Sequence, residues 1–139
     1  KMSNLEYRTC SPDDIDAALA FWNTATLGGS TNTREAIEIY LDHDAELFIT
    51  VWDEDALIGT VMGAWDGWRA HFARLAVNPE YRRRGIAREL VNRAEKLLRK
   101  RGAKRVYADI LTESPEAFDF WRAMGFTPND VVAPYAKNL

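Results

Sequence analysis

A chain of 139 residues, 47% of them hydrophobic and 28% charged, with a formal net charge of −3, has the length and make-up of one folded domain, residues 1–139, around a single core. No apolar run approaches the roughly 20 residues needed to span a bilayer, and the N-terminus lacks the charged-then-apolar layout of a secretory signal, so a cytoplasmic protein with no membrane partner is expected. A single cysteine, Cys10, excludes an internal disulfide, and Cys10, His43 and His71 are too scattered to suggest a metal site.

In chain order, Leu5 to Cys10 is short and extended in character. Ser11-Pro12-Asp13-Asp14 then reads as a helix start, with Ser11 as N-cap, Pro12 at the first position and acids in the first turn. The helix places Ile15, Ala18, Leu19 and Trp22 on one side and ends before Gly28-Gly29. Thr33 caps a second helix from Arg34 to about Leu41, with Ala36, Ile37, Ile39 and Tyr40 as its apolar content, and the loop between the helices, Thr26 to Asn32, is small and polar. Leu47 to Trp52 and Leu57 to Trp65 form a hairpin across the acidic turn Asp53-Glu54-Asp55, and after Asp66-Gly67 the segment Trp68 to Val77 returns antiparallel. A long helix opens at Ile86, where Ile86, Leu90, Val91, Ala94, Leu97 and Leu98 recur every three or four residues and Gly102 marks the C-cap. Lys104 to Leu111 is a further strand, Pro115 to Ala123 a helix closed by Gly125, and Val131 to Lys137 a weaker final strand. This order implies a mixed sheet flanked by helices, with the β-α-β crossover in the middle of the chain joining parallel strands.

The charge is unevenly spread. Residues 82–105 hold 11 Lys and Arg against 2 Asp and Glu, whereas residues 1–81 hold 5 against 14. Within the basic block, Arg82-Arg83-Arg84-Gly85-Ile86-Ala87 lies between a short apolar strand, Leu75-Ala76-Val77, and the long helix. The first turn of a helix leaves its N–H groups without intrahelical partners, the macrodipole adds partial positive charge, and the arginines add full charges. Gly85 lets a ligand approach the main chain without meeting a Cβ, so a pyrophosphate suits this turn. A solvated basic loop capping an ordinary helix is the plain alternative. The same block also has the charge for nucleic acid, but Glu89 and Glu95 interrupt it and no nucleic-acid motif accompanies it, so no nucleic-acid partner is expected. Neither a P-loop string nor a dinucleotide fingerprint is present.

The run Leu75 to Ala87 resembles the acetyl-coenzyme A signature of the GNAT superfamily of N-acetyltransferases, Gln/Arg-x-x-Gly-x-Gly/Ala, with Arg82, Gly85 and Ala87 at its fixed positions. Ala117 to Trp121-Arg122-Ala123-Met124-Gly125-Phe126 resembles that family's second signature, in the right order and spacing. The resemblance implies an α/β (α+β) acetyltransferase fold, a mixed and mostly antiparallel sheet of six to seven strands with about four helices. It implies acetyl-coenzyme A as cosubstrate, no metal, and acetyl transfer to a primary amine of a small molecule. A protein N-terminus or lysine is the alternative acceptor, a module that holds coenzyme A without turnover the alternative role, and a homodimer is compatible with the family. The implied cofactor contacts are Leu75, Ala76, Val77, Arg82, Arg83, Arg84, Gly85, Ile86, Ala87, Arg88, Ser114, Phe118 and Trp121, and the helix-loop-helix around Thr26–Asn32 borders the acceptor.

Three chemical tasks follow. The thioester oxygen needs a preorganised donor, worth on the order of 3 kcal/mol, which the family draws from backbone N–H groups at the strand end that is here Leu75-Ala76-Val77. An acceptor amine with a pKa of about 10.4 must lose a proton. His71 is the candidate base; with a period of two it shares a face with Ala73, Leu75 and Val77 unless a bulge changes the parity. It is equally readable as a polar strand residue, and waters, or a carboxylate such as Glu35 or Asp66, are the weaker options. The departing thiolate needs an acid, and here the chain departs from the signature: Trp121 replaces the usual tyrosine and Ser114 the asparagine, which leaves Tyr107 or Tyr135 as acids, or unassisted departure.

Overall fold

The computed structural model describes residues 4–25, 29, 31–111 and 114–139, which fall into two compact units, one reaching to Ala108 and one from Asp109 onward. In the first unit, β1 (Leu5–Thr9), β2 (Phe48–Asp53), β3 (Ala56–Trp65), β4 (Ala70–Val77) and β5 (Val106–Ala108) form one sheet in the order β1-β2-β3-β4-β5. The first four are antiparallel neighbours, and β4 and β5 are parallel, joined through α3 (Ile86–Lys100) as the β-α-β spacing requires. Helices α1 (Ile15–Thr24) and α2 (Arg34–Asp44) precede β2.

Each start signal has its structural counterpart. Pro12–Asp14 is a 3₁₀ turn leading into α1, and the backbone N–H of Ser11 donates to Asp14 Oδ2 at 3.0 Å. Thr33 Oγ1 accepts the Ala36 N–H at 3.1 Å and so satisfies one orphan donor of α2. The Thr26–Asn32 loop lies in part outside the described residues; Gly29, Thr31 and Asn32 belong to them.

The core follows from β2, whose residues Phe48 to Trp52 are all buried. On one side Phe48 stacks on Trp22 at 5.7 Å, takes Tyr40 edge-on at 5.9 Å, and joins Cys10, Ile15, Ala18 and Ile37. Ile86, Leu90, Val91, Ala94 and Leu98 form the buried stripe of α3, each worth about 1.5–3 kcal/mol relative to exposure for the larger side chains. Arg101, just past α3, donates to Asp44 Oδ2 at 2.5 Å and Glu46 Oε1 at 2.7 Å, so the end of α3 is tied to the end of α2. Not every apolar residue of α2 is inside: Ile39 is 65% exposed.

The strand count departs from expectation, with five strands among the described residues instead of six to seven. The segment Lys104 to Leu111 contributes only Val106–Ala108, and Val131 to Lys137 forms no strand. Val131 is 90% and Tyr135 96% exposed, and Pro134 between them has no N–H to give a ladder. In the second unit, α4 (Pro115–Ala123) carries Trp121, which is buried and meets Phe120 at 5.3 Å and Phe126 at 4.8 Å, both edge-on. The chain leaves α4 at Gly125, where the Phe126 N–H returns to the Trp121 carbonyl at 3.0 Å.

Candidate active site

Between the end of β4 and the start of α3 the backbone is held by local bonds. Asn78 donates its N–H to the Ile58 carbonyl at 2.8 Å, and its side-chain oxygen accepts the Glu80 N–H at 2.9 Å, which starts a 3₁₀ turn over Pro79–Tyr81. Tyr81 donates to Asp53 Oδ2 at 2.5 Å, a bond that raises its phenol pKa, and so pins the turn to the β2–β3 hairpin. Arg84 lies over the Tyr81 ring at 5.1 Å. Arg83 and Gly85 both take positive φ, +64° and +77°, which curls the chain before Ile86 enters the core. Arg82, Arg83, Arg84 and Arg88 are exposed around this curl, and a Cβ built on Gly85 meets nothing within 4 Å. The result is an open helix start whose first-turn N–H groups and neighbouring exposed arginines together form a candidate anion cradle.

The basic block of the sequence is thereby divided. Farther along α3, Arg93 pairs with Glu89 at 2.7 Å and Arg99 with Glu95 at 3.3 Å, while Arg101 is held by Asp44 and Glu46. These are framework cations. The group at the helix start has the exposure a phosphate ligand needs.

The second feature is β4 itself. Opposite β3 its register shifts: Met62 pairs with Ala73 but Thr60 with Ala76, so Val61 faces two residues, Arg74 and Leu75. Arg74 adopts φ +56°, the left-handed conformation of a bulge. The bulge changes the parity. Cross-strand partners share a face, so His71, Ala73 and Ala76 lie on the face of Ala64, Met62 and Thr60, and Val77 lies with Gly59 on the other. On its far side β4 pairs with β5 only from Ala70↔Val106 to Phe72↔Ala108, where β5 ends. Leu75, Ala76 and Val77, half-buried, therefore lie beyond the last paired position on that edge.

Residues 15–126 match the model of the GNAT acetyltransferase family. The chain belongs to the GNAT acetyltransferase family. Its fold is shared by Ard1 from Thermoplasma volcanium (TM-score 0.79, 22% identity, 89% of this chain and 83% of that one). It is shared also by the PaiA N-acetyltransferase from Thermoplasma acidophilum in complex with coenzyme A (TM-score 0.75, 22% identity, 91% of each chain). Naa20 from Chaetomium thermophilum, solved with a bisubstrate analogue, superimposes with a TM-score of 0.75 at 25% identity over 86% of this chain and 69% of that one. As a GNAT member the chain is an acyltransferase with acetyl-coenzyme A as cosubstrate, and no helix among its described residues is long and apolar enough to cross a membrane.

Within this GNAT chain the expected cofactor residues separate into two groups. Leu75, Ala76, Val77 and Arg82 to Arg88 occupy one continuous path in the first unit, from the open strand edge to the cradle. Ser114, Phe118 and Trp121 belong to the second unit, Ser114 at the N-cap position of α4, Phe118 half-buried, and Trp121 enclosed by phenylalanines. His71 is exposed beside Tyr107, its register partner on β5, with ring centroids 5.5 Å apart. It lines a pocket of about 170 Å³ with Tyr40, His43, Asp44, Ala64, Trp65, Asp66 and Arg69. Asp66 is a turn residue: the Arg69 and Trp68 N–H groups hold its pKa below the usual carboxylate range, which suits a fixed acceptor better than a base. Glu35 is exposed in the first turn of α2.

As individual site residues, Arg74 and Thr60 were missed, Trp22 was read only as part of a helix's apolar side, and Asn32 only as the end of the loop bordering the acceptor. Arg74 donates to Asn32 Oδ1 through Nε at 3.1 Å and Nη2 at 2.7 Å, and lies over Trp22 at 5.5 Å. Burial lowers the pKa of its guanidinium. The available signal was an arginine inside the otherwise apolar run Ala73 to Val77.

Proposed function

We propose that the chain moves the acetyl group of acetyl-coenzyme A directly to a primary amine of a small molecule. The observation that carries this is the bulged strand whose open edge at Leu75 leads into the Gly85 cradle, a layout that supports a thioester at one end and a diphosphate at the other. Arg82 to Arg88 hold the diphosphate, and Leu75 to Val77 align the thioester. His71 takes the proton of the amine, whose nitrogen attacks the thioester carbon. The tetrahedral oxyanion then collapses, the C–S bond breaks, and the coenzyme A thiolate leaves and takes a proton, for which Tyr107, its ring 5.5 Å from that of His71, is the candidate donor. A pocket well under the roughly 300 Å³ of a drug-sized site suits a compact amine. The likeness to Naa20 favours a second reading, in which the acceptor is a protein N-terminus.

A panel of small amines and N-terminal peptides, read by release of free coenzyme A thiol, separates the two acceptors. His71→Ala should lower kcat with the best amine and leave coenzyme A affinity unchanged; equal kcat across pH removes His71 from the mechanism. Saturating coenzyme A at a hundred times its Kd should stabilise the fold by about 2.7 kcal/mol, and no rise in Tm at millimolar ligand refutes the cofactor assignment.

A further inference from the structure

Thr60 is fully buried in the middle of β3, and its hydroxyl carries a directed relay. Trp22 Nε1 lies 2.9 Å from Thr60 Oγ1, and Thr60 Oγ1 lies 2.7 Å from the Arg74 carbonyl oxygen. An indole N–H only donates and a carbonyl only accepts, so the protons have one arrangement: Trp22 donates to Thr60, and Thr60 donates to Arg74. The carbonyl at the end of this relay belongs to the bulge. A peptide is planar and trans, so the Leu75 N–H points opposite to the Arg74 C=O. Because that C=O turns toward Thr60 on β3, the Leu75 N–H turns away from β3, toward the edge along which β5 has already ended. Arg74 is held in its left-handed conformation a second time, by its guanidinium on Asn32 and Trp22.

We propose that Thr60, backed by Trp22, is a positioning residue that fixes the Arg74–Leu75 peptide so that the Leu75 N–H meets the thioester oxygen of acetyl-coenzyme A. The proposal rests on the acetyl-transfer reading above. Without the hydroxyl, the Arg74 carbonyl loses its partner, and although the guanidinium contacts still hold the bulge, the Arg74–Leu75 peptide is free to tilt and the N–H leaves its aim. The cradle residues proposed for the diphosphate, Arg82 to Arg88, lie beyond the bulge, so the effect is expected at the acetyl group.

The test compares acetyl-coenzyme A with coenzyme A by calorimetric titration. The wild-type chain should bind the thioester more tightly than the thiol. Thr60→Val, near-isosteric and still β-branched, should lose about fivefold of that preference while binding coenzyme A as before, and Thr60→Ser should restore it. An unchanged preference in Thr60→Val overturns the proposal, as does an equal loss of affinity for both ligands, which marks a merely structural residue. The wild-type protein gives an independent arm: the Leu75 amide proton resonance should move when acetyl-coenzyme A replaces coenzyme A, and an unmoved resonance overturns the proposal without any variant. If the wild-type chain binds neither ligand, the acetyl-transfer reading falls and takes this proposal with it. Normal binding and turnover with an unmoved Leu75 amide refute the proposal alone.

Discussion

Replacing Gly85 by alanine separates backbone strain from ligand access. Gly85 has φ +77° and ψ 11°, a region where an L-residue costs about 1–2 kcal/mol. A Cβ there meets nothing within 4 Å, so the conformational penalty is all that the free protein loses. Gly102, at the far end of α3, is a matched control with φ +99° and the same open space. The 15 residues of α3 that lie between the two glycines span about 22 Å, too far for one ligand phosphate to touch both. Gly85→Ala and Gly102→Ala should therefore each lower stability by about 1 kcal/mol, a fall in Tm of about 3–5 °C. Their ligand affinities should diverge. Only the methyl at Gly85 fills the approach to the first-turn N–H groups, and coenzyme A should bind about tenfold more weakly, or about 1.4 kcal/mol. Thermal melts and calorimetric titration with coenzyme A measure both quantities. Equal coenzyme A affinity in the two variants, whether retained or lost together, refutes the cradle.

Two further outcomes probe the framework. Arg101→Met removes the bonds to Asp44 and Glu46 and should destabilise by about 1–2 kcal/mol, whereas Arg93→Gln, which breaks an exposed pair with Glu89, should change stability by no more than about 0.5 kcal/mol; urea unfolding of the two variants compares them. Burial pushes the Cys10 thiol up from 9.0 to about 12, with Asp14 adding to the shift, and burial raises the Tyr40 phenol as well. A folded pKa above the unfolded one contributes stability that is complete below pH 9 and is lost as pH rises toward the folded value, so unfolding free energy should fall steadily from pH 9 to 11. Cys10→Ala should flatten part of that slope, on the order of 2 kcal/mol over the interval, and an unchanged slope argues against the burial effect.

The candidate donor turn was legible because it is written locally. Arg82, Gly85 and Ala87 are close in sequence, and a helix start presents its N–H groups whatever surrounds it. The α3 stripe was equally legible, since Ile86, Leu90, Val91, Ala94 and Leu98 follow from helical period alone. The final strand was misread because Val131-Val132 has strand composition, but a strand also needs a neighbour to pair with, and Pro134 removes one N–H from the segment.

What the sequence determined by itself was the family, the order of helices and strands through α4, and the arginine-glycine turn that opens α3, all of which are written in local runs of residues. What only the tertiary structure decided was the bulge at Arg74, the parity of His71, and the relay from Trp22 through Thr60. These depend on contacts between residues 14 and 38 positions apart, and on one strand holding an extra residue against its partner. A period of two carries no record of such an insertion, so the face on which each side chain lies, and the direction in which the Leu75 N–H points, follow only from the packed sheet.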